Sequence, residues 1–301
     1  MKKLIILLII LFAIVLIRNA WLCADAFIGL RIVDNFVNGY GLRYNIIERV
    51  NAFTPPLWIF VISSIYYFTH EGYFTLIFLC MFLSIMALIV YSRINPETCF
   101  LGLIVLTLSK AFIDYSTSGL ENALSHLLLA IIFYIYLLKP EKVYLLSLAS
   151  CLFCLNRLDG ILIVAPMLIH VLCKTKKYAV ILLGFIPLVL WELFSLFYYG
   201  FPFPNVYYAK ACSGIPHIEL AKQGLLYFMD SINHDPVTLL VIFTAIVIGF
   251  YFKGAQNKII AMGITIYLLY VVSIGGCYMS GRFFTMPLFC SCVLLSRVNY
   301  E

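Results

Sequence analysis

The stretch "LIILLIILFAIVLIRNAWLCADAFIGLRIVDN", residues 4–35, decides how the chain is interpreted. Its first half is an unbroken apolar run from Leu4 to Ile17, and its second half places Asp25, Arg31 and Asp34 shortly afterwards. An uninterrupted apolar run is typical of a membrane helix, whereas charges that follow it closely belong to a segment at the membrane surface. The same change from apolar run to short polar connection recurs along the chain and predicts its fold.

The composition predicts a membrane protein. Of 301 residues, 64% are apolar and 11% are charged, whereas soluble domains carry about 25% charged residues. The apolar runs do not alternate with polar residues, and lipid offers the backbone no hydrogen-bond partners, so the runs are expected to be helices. We therefore expect an all-α, polytopic integral membrane protein with about 10–11 membrane segments. Residues 1–301 should form a single transmembrane domain, with no soluble domain.

The first segment is expected to be retained. Lys2 and Lys3 precede it, as in a signal peptide, but "IRNAWLCADA" offers no clean cleavage site with small residues. The two lysines place the N-terminus in the cytoplasm. The expected segments are 4–20, 56–69, 74–92, 99–113, 122–138, 143–156, 161–173, 178–199, 236–253, 259–274 and 285–296.

Basic residues predict which connections face the cytoplasm. "KPEK" (139–142), "KTKK" (174–177), "KGAQNK" (253–258) and Arg297 fall at regular alternations from residue 122 onward. The outer connections are then 18–55, 114–121, 156–160, 200–235 and 275–284. The net charge of +6 is spread over short loops, which fits control of topology rather than nucleic-acid binding. Three segments between residues 56 and 113 make an odd count, so one of them must not cross.

The first outer connection, 18–55, has a helical pattern over residues 24–38. One side of this helix carries the polar residues Arg31, Asp34, Asn35 and Asn38. Asp25 lies on the other side with Ile28 and Ile32, at the boundary between water and lipid if the helix lies in the interface. Asp25 is thus either the N-cap of this helix or a carboxylate that takes a proton at the membrane surface.

Five motifs in the outer connections resemble those of a known family. In chain order they are "ADAFIGLRIVDNFVNGYGLRYNIIERVNAFTPPLW" from residue 24, "TSGLENALSHLL", "RLDG", "FPNVYYAK" and "GGCYMSGRFFTMPLF", which ends at residue 289. Together they resemble the polyprenyl-phosphate-sugar-dependent glycosyltransferases of the GT-C superfamily. The similarity is to the terminal β-arabinofuranosyltransferases of mycobacterial cell walls and their proteobacterial relatives.

The resemblance implies a GT-C-like core in the bacterial inner membrane, with the active site on the outer face. Such an enzyme moves a sugar, a pentofuranose in that branch, from a polyprenyl-phosphate donor to a glycan or lipid-linked glycan. Asp25 would accept the proton of the acceptor hydroxyl, and Arg282, Arg157 and Lys210 would bind the donor phosphate. The residues expected to contact sugar or acceptor, or to orient Asp25, are Arg31, Asp34, Glu48, Arg49, Glu121, Asp159, Asn205, Tyr207 and Tyr208.

The chain departs from the family pattern in ways that keep other functions open. Ala24 replaces one acid of a pair, Cys277 replaces an expected Asp, and the trailing extracytoplasmic domain of longer relatives is expected to be absent. A non-catalytic paralogue that acts as a scaffold in envelope or flagellar maintenance is therefore one alternative. The other is an O-antigen-type polymerase or ligase, which usually has a larger late loop than 200–235.

Several candidate residues also have ordinary structural interpretations. Glu121 could cap a helix, Arg157 and Asp159 could pair at a helix end, and Glu48 with Arg49 could form a surface ion pair. Tyr207 and Tyr208 could belong to an aromatic belt, and His170 could be a structural histidine. No metal site is predicted, because the cysteine pairs 151/154 and 290/292 lie in apolar segments without a nearby histidine. The sequence identifies no cofactor with certainty, and it leaves open whether a divalent metal assists the phosphate.

Overall fold

The computed structural model describes residues 2–211 and 214–297, with the side chains of 210 and 211 outside the described part. The described residues form sixteen α-helices and two short 3-10 helices, Leu158–Gly160 and Arg282–Phe284. The α-helices are α1 Lys2–Arg18, α2 Ala24–Val37, α3 Pro56–Thr69, α4 Tyr73–Ser92, α5 Cys99–Leu108, α6 Lys110–Tyr115, α7 Asn122–Leu138, α8 Val143–Asn156, α9 Ile161–Thr175, α10 Tyr178–Gly184, α11 Ile186–Tyr199, α12 Asn205–Ala211, α13 His217–His234, α14 Pro236–Tyr251, α15 Ala255–Ser273 and α16 Thr285–Leu295.

The helices fit a membrane-associated protein. Among the described residues, Tyr73–Ser92, Leu158–Thr175 and Ala255–Ser273 are long and apolar enough to cross a membrane. The number rises to 5 if two bent pairs each count as one span, α10 with α11 (48°) and α13 with α14 (115°). Large apolar side chains such as Ile6, Ile10 and Ile14 are exposed along α1, which is typical of a surface that contacts lipid.

The helices follow the segments expected from the sequence, with two breaks. Segment 99–113 is interrupted at Ser109, whose hydroxyl accepts a hydrogen bond from Phe112 N and so starts α6 as an N-cap. Segment 178–199 is interrupted at Phe185, just before Pro187. Proline lacks the N–H that a helix interior needs, but it is tolerated in the first turn of a new helix.

Segment 56–69 runs beside α2 instead of leading away from it. Near the beginning of α3, the Trp58 indole donates to the carbonyl of Gly119 (3.1 Å), a residue that also contacts the first turn of α2 at Ala26. Near its end, the Tyr66 hydroxyl donates to Asp34 (2.8 Å), three residues before α2 ends. Both ends of α3 therefore stay close to α2.

The next helix, α4, is the one that leads away. Gly72, just before α4, packs against Leu30 of α2. Further along, Ser84 donates to the carbonyl of Ser116 (3.3 Å), and Tyr91 donates to the carbonyl of Cys292 near the end of α16. The helix thus connects the region of α2 with the opposite end of the bundle.

The position of Asn35 differs from the polar stripe that the sequence predicts for α2. The stripe places Asn35 toward water, but its side chain is buried and donates to the carbonyls of Arg43 (2.9 Å) and Tyr44 (3.0 Å). An amide that satisfies two backbone acceptors holds the following loop against the helix. Asn35 is therefore an anchor of the first connection.

Two glycines let α15 approach α9 and α13 closely. A Cβ on Gly263 of α15 would lie 2.5 Å from the carbonyl oxygen of Ile163 in α9, and one on Gly224 of α13 would lie 2.3 Å from that of Val272 in α15. Close backbone approach at small residues is a common way for membrane helices to pack. The amphipathic helix α13 is consequently held across the end of α15, within the connection 200–235.

Candidate functional site

Four of the five motif segments meet at one end of the bundle. The backbone N–H of Cys23, before α2, donates to the carbonyl of Ser118 (3.0 Å). Tyr115, at the end of α6, donates through its hydroxyl to the carbonyl of Ser280 (2.9 Å). The side chains of Arg157 and Arg282 both reach Glu121. These contacts join the beginning of α2 to the connections 116–121, 156–160 and 275–284.

The centre of this junction is a group of four charged side chains, Glu121, Arg157, Asp159 and Arg282, which we call the ionic cluster. Glu121 Oε1 lies 2.9 Å from Arg282 Nη2 and 3.2 Å from Arg157 Nη1, and Arg157 Nη2 lies 2.6 Å from Asp159 Oδ2. The four side chains are only 5% to 16% exposed. Two cations therefore balance two anions in a largely dehydrated space, where removal of one partner leaves an uncompensated charge.

Glu121 is the shared acid of the ionic cluster. It occupies the N-cap position of α7, but its side chain makes no capping hydrogen bond, so the interpretation of Glu121 as a cap is wrong. Burial alone raises the pKa of this carboxyl, but Arg282 and Arg157 lower it by more, so the pKa lies below its ordinary value. Glu121 is consequently ionised at neutral pH.

The two arginines of the ionic cluster differ in the donors they have left. Each nitrogen of Arg157 donates to a protein oxygen, on Asp159, Glu121 or Tyr267, which confirms its pairing with Asp159. This geometry does not support phosphate binding by Arg157 and favours a positioning role instead. Arg282 holds Glu121 through Nη2, whereas its Nη1 has only a sulfur contact and its buried Nε has no partner in the described part of the chain. Arg282, whose side chain is 16% exposed, thus keeps N–H groups at Nη1 that an anion could accept, whereas its Nε is enclosed by protein.

Asp25 lies at the edge of the same junction. Cys23 is the N-cap of α2 and Asp25 is in its first turn, so the interpretation of Asp25 as the N-cap is wrong. Its side chain is half-buried and, within residues 2–211 and 214–297, makes no ion pair. Asp25 is therefore a carboxylate without an ion pair in the described residues, two positions after Cys23, whose N–H contacts the connection 116–121.

Tyr278 is the neighbour of Asp25 from the connection 275–284. Desolvation and the adjacent Asp25 carboxylate raise the pKa of the Tyr278 hydroxyl to about 12. The hydroxyl is therefore protonated at neutral pH and available as a donor beside Asp25.

The remaining candidates of the first connection make contacts within or near that connection. Arg31 donates to the carbonyl of Tyr44 (3.0 Å), and Asp34 accepts hydrogen bonds from Tyr66 and Asn38. Glu48 accepts a hydrogen bond from Asn45, and the guanidinium of Arg49 lies 5.2 Å from the centre of the Tyr198 ring. The expected ion pair between Glu48 and Arg49 is absent from the described residues, and these four side chains are not part of the ionic cluster.

The fifth motif, in α12, contacts the end of the first connection. The backbone N–H of Asn205 donates to the carbonyl of Asn51 (2.9 Å). Tyr207 is exposed and packs against Tyr208, with ring centres 5.5 Å apart. The side chain of Lys210 lies outside the described residues, so its expected contact with phosphate stays a prediction.

Some residues of the site are missing from the sequence-based prediction. The Tyr267 hydroxyl donates to Asp159 (3.0 Å), and the Asn156 amide donates to the carbonyl of Glu121 (2.9 Å) and to Ser125 (2.9 Å). Asn156 directly precedes the "RLDG" motif, so its position could have indicated it. Tyr267 lies in the middle of an apolar run, where the sequence gives no signal.

Two further observations complete the site. His170 pairs with the hydroxyl of Tyr136 (2.9 Å), which agrees with its interpretation as a structural histidine. In the part of the chain that the structure describes, no group of three or more His, Cys, Asp or Glu side chains is arranged to hold a metal ion.

Comparison with known proteins adds no assignment. No family model, no curated protein and no solved structure matches the chain. The function must therefore be argued from the site itself.

Proposed function

We propose that the chain is a polytopic membrane glycosyltransferase of the GT-C type in the bacterial inner membrane. It transfers a sugar, a pentofuranose by the resemblance, from a polyprenyl-phosphate donor to a cell-envelope glycan on the outer face. The contacts of α3 support a topology for this enzyme. If α2 and α3 both lie in the outer interface, the odd count of segments between residues 56 and 113 disappears. The α5–α6 and α10–α11 pairs then cross once each, and the chain makes about ten crossings with both ends in the cytoplasm.

The observation that carries the proposal is the difference among the acids near Arg282. Glu121 is buried and Asp159 is half-buried, and both are held by arginines, so neither is free to accept a proton. Asp25 is half-buried, makes no ion pair within the described residues and lies on a helix at the proposed membrane surface. A general base needs an accessible, ionised carboxylate within reach of the reacting hydroxyl. Asp25 fits that requirement better than the acids of the ionic cluster.

The proposed reaction assigns a role to each group. Asp25 accepts the proton of the acceptor hydroxyl while the acceptor oxygen forms a bond to the anomeric carbon of the donor sugar. The bond between that carbon and the phosphate oxygen breaks, and polyprenyl phosphate leaves with the bonding electrons. The Nη1 N–H groups of Arg282 stabilise the charge on the leaving phosphate. Arg157 acts through Glu121, which it shares with Arg282, by fixing the position of Arg282.

The test is the glycan composition of envelopes from cells that lack the protein. The strain is complemented with wild type, Asp25→Asn or Asp25→Ala at matched membrane levels. Glu219→Gln is the matched control, because Glu219 is an exposed acid in the first turn of another helix, α13. We expect the deletion to lose one sugar, wild type and Glu219→Gln to restore it, and both Asp25 variants to fail. Restoration by the Asp25 variants would exclude Asp25 as the base.

A non-catalytic scaffold is the second candidate, and one observation favours it. The ionic cluster is neutral and largely self-satisfied, as expected of a structural element, while Ala24 and Cys277 replace acids of the family pattern. For a scaffold, deletion would leave the glycan composition unchanged. The same experiment therefore separates the two functions.

A further inference from the structure

A cavity of about 370 Å³ lies beside the first turn of α2 and is lined by Cys23 and Ala24, but not by Asp25 itself. Its walls come from the residues before and at the beginning of α2, from α6, from the end of α13 and from the connection 275–284. No side chain of the ionic cluster lines it, whereas Tyr278, the neighbour of Asp25, does. Its volume lies in the range of small-molecule sites, about 300–1,000 Å³.

The cavity presents aromatic rings whose polar atoms already have partners or face Asp25. The Trp21 indole donates to the carbonyl of Asp114 (3.0 Å), and the Tyr115 hydroxyl donates to the carbonyl of Ser280 (2.9 Å). Trp21 is 37% exposed and Tyr278 is 77% exposed, so part of each ring faces open space. Aromatic rings of this kind offer flat apolar surfaces at little entropic cost, and Trp21 is held in place by its hydrogen bond.

One polar group in the wall has no partner. Ser231 is 1% exposed, its Oγ makes no hydrogen bond within the described residues, and it lines the cavity. A buried hydroxyl without a partner is unfavourable, and a ligand hydroxyl in the cavity would satisfy it. Ser231 lines the same cavity as Trp21 and Tyr278, which indicates a ligand that has both apolar faces and hydroxyl groups.

The charged residues that line the cavity indicate which class of ligand it could bind. Lys110 is paired with Asp114, and the Asp235 carboxylate accepts hydrogen bonds from Ser109, Ala111 and Thr238. Lys110 brings one positive charge and Asp114 and Asp235 bring two negative charges; this excess of carboxylates disfavours a phosphate, and the charged groups disfavour a lipid tail. A neutral ring with hydroxyl groups fits the cavity best.

We infer that this cavity binds a sugar ring of the acceptor glycan and presents one hydroxyl of that sugar to Asp25. The assignment to the acceptor rests on the proposed transferase function, whereas the binding of a sugar ring does not. The ring stacks on Trp21 and Tyr278, and Ser231 hydrogen-bonds a sugar hydroxyl. The donor phosphate remains at Arg282, outside the cavity.

The test uses the tryptophan fluorescence of the full chain in lipid nanodiscs, titrated with methyl glycosides of pentofuranoses and hexopyranoses. We expect at least one glycoside to change the fluorescence of wild type and of Trp191→Phe, but not of Trp21→Phe. Trp191 lies in α11, away from the cavity, and receives the same substitution as a control. A change that persists in Trp21→Phe, or no change with any glycoside, would overturn the inference.

Ser231→Ala supplies a second test that does not risk the fold, since it removes a buried hydroxyl that has no partner. Loss of one hydrogen bond to the ligand should weaken the affinity for the glycoside by about fivefold. An unchanged affinity would contradict the assigned position of the sugar.

Competition distinguishes the two sources of a sugar ring. A short-chain prenyl-phosphate pentofuranoside should not displace the methyl glycoside if the cavity holds the acceptor, and displacement would assign the cavity to the donor sugar instead. Failures of the two proposals are also separable. Glycoside binding together with full activity of Asp25→Asn would leave the cavity standing and exclude Asp25 as the base. Loss of the glycan in Asp25→Asn, together with no glycoside binding to wild type, would support Asp25 as the base and exclude the cavity as a sugar site.

Discussion

Asp25 and Glu121 are both acids at the beginning of a helix on the same side of the molecule, yet their surroundings are opposite. Glu121 is buried and shared by two arginines, whereas Asp25 is half-buried and makes no ion pair in the described residues. Position at a helix start therefore does not determine what an acid does. The presence or absence of a nearby cation determines it. A carboxylate paired with arginines is held in place, whereas a carboxylate without an ion pair is free to accept a proton.

The largest effect should come from removing the cation that holds two acids. Arg157→Met leaves Asp159 and part of Glu121 without compensation in a largely buried space. We expect the free energy of unfolding to fall by about 3–5 kcal/mol, because a buried pair that loses one partner keeps an uncompensated charge. The measurement is unfolding of the detergent-solubilised protein by increasing mole fractions of SDS.

Arg297→Met is the matched control for this prediction. Arg297 binds the neutral side chains of Asn257 and Gln256, so its loss leaves no buried charge unpaired. It should cost about 1.5–3 kcal/mol, the range for hydrogen bonds that involve a charged group. Equal losses for the two variants would contradict the importance of the ionic cluster.

The second effect is a pH dependence that passes through Glu121. Its pKa is lower in the folded state than its ordinary value of 4.5, so the ion pairs stabilise the fold fully above that value. The contribution should disappear as the pH falls below 4.5 and through the lower folded-state pKa. Glu121→Gln should be less stable than wild type at neutral pH, and the difference should shrink on acidification. Unfolding curves between about pH 3 and pH 7 measure this; a gap that stays constant would show that Glu121 does not stabilise the fold as a carboxylate.

A smaller loss of stability should follow from disturbing the packing of Gly119 against the first turn of α2, the turn that carries Asp25. Gly119 has a φ of +79°, and a Cβ there would lie 2.7 Å from the Cβ of Ala26. Gly119→Ala should cost about 1–3 kcal/mol from backbone strain, plus the displacement of α2. Gly39→Ala is the control, because Gly39 has a similar φ of +84° but open space around its missing Cβ. If α2 is seated on Gly119, the Gly119 variant alone should also reduce the glycan transfer assigned to Asp25.

Most of the helices could be predicted from the sequence, because uninterrupted apolar runs have few alternatives to helix in lipid. Segments 56–69, 122–138 and 143–156 coincide with α3, α7 and α8. The amphipathic helix α13 was missing from the prediction, although Leu220, Gly224 and Tyr227 have helical spacing within 200–235. The position of α3 beside α2 could not be predicted, because its apolar composition suits an interfacial helix and a crossing helix equally.

The site was predictable only in its parts. The motif resemblance and the charge pattern named Glu121, Arg157, Asp159 and Arg282, and these four side chains lie together. Their partners could not be read from the sequence, since pairing depends on how three connections fold against one another. The prediction therefore assigned phosphate binding to Arg157, whose nitrogens are occupied by Glu121, Asp159 and Tyr267.

The same substitution, Asp to Asn, should affect Asp25 and Asp159 differently. Asp25→Asn should change the free energy of unfolding by no more than about 0.5 kcal/mol, as for a site without buried partners. Asp159→Asn should cost about 3 kcal/mol, since it leaves Arg157 short of a buried counter-charge. Unfolding in SDS measures both variants, and the envelope glycan reports transfer. The proposal requires Asp25→Asn to retain full stability and lose transfer. If Asp25→Asn instead loses stability as Asp159→Asn does, Asp25 is one more structural acid, and its lack of an ion pair no longer marks it as the base.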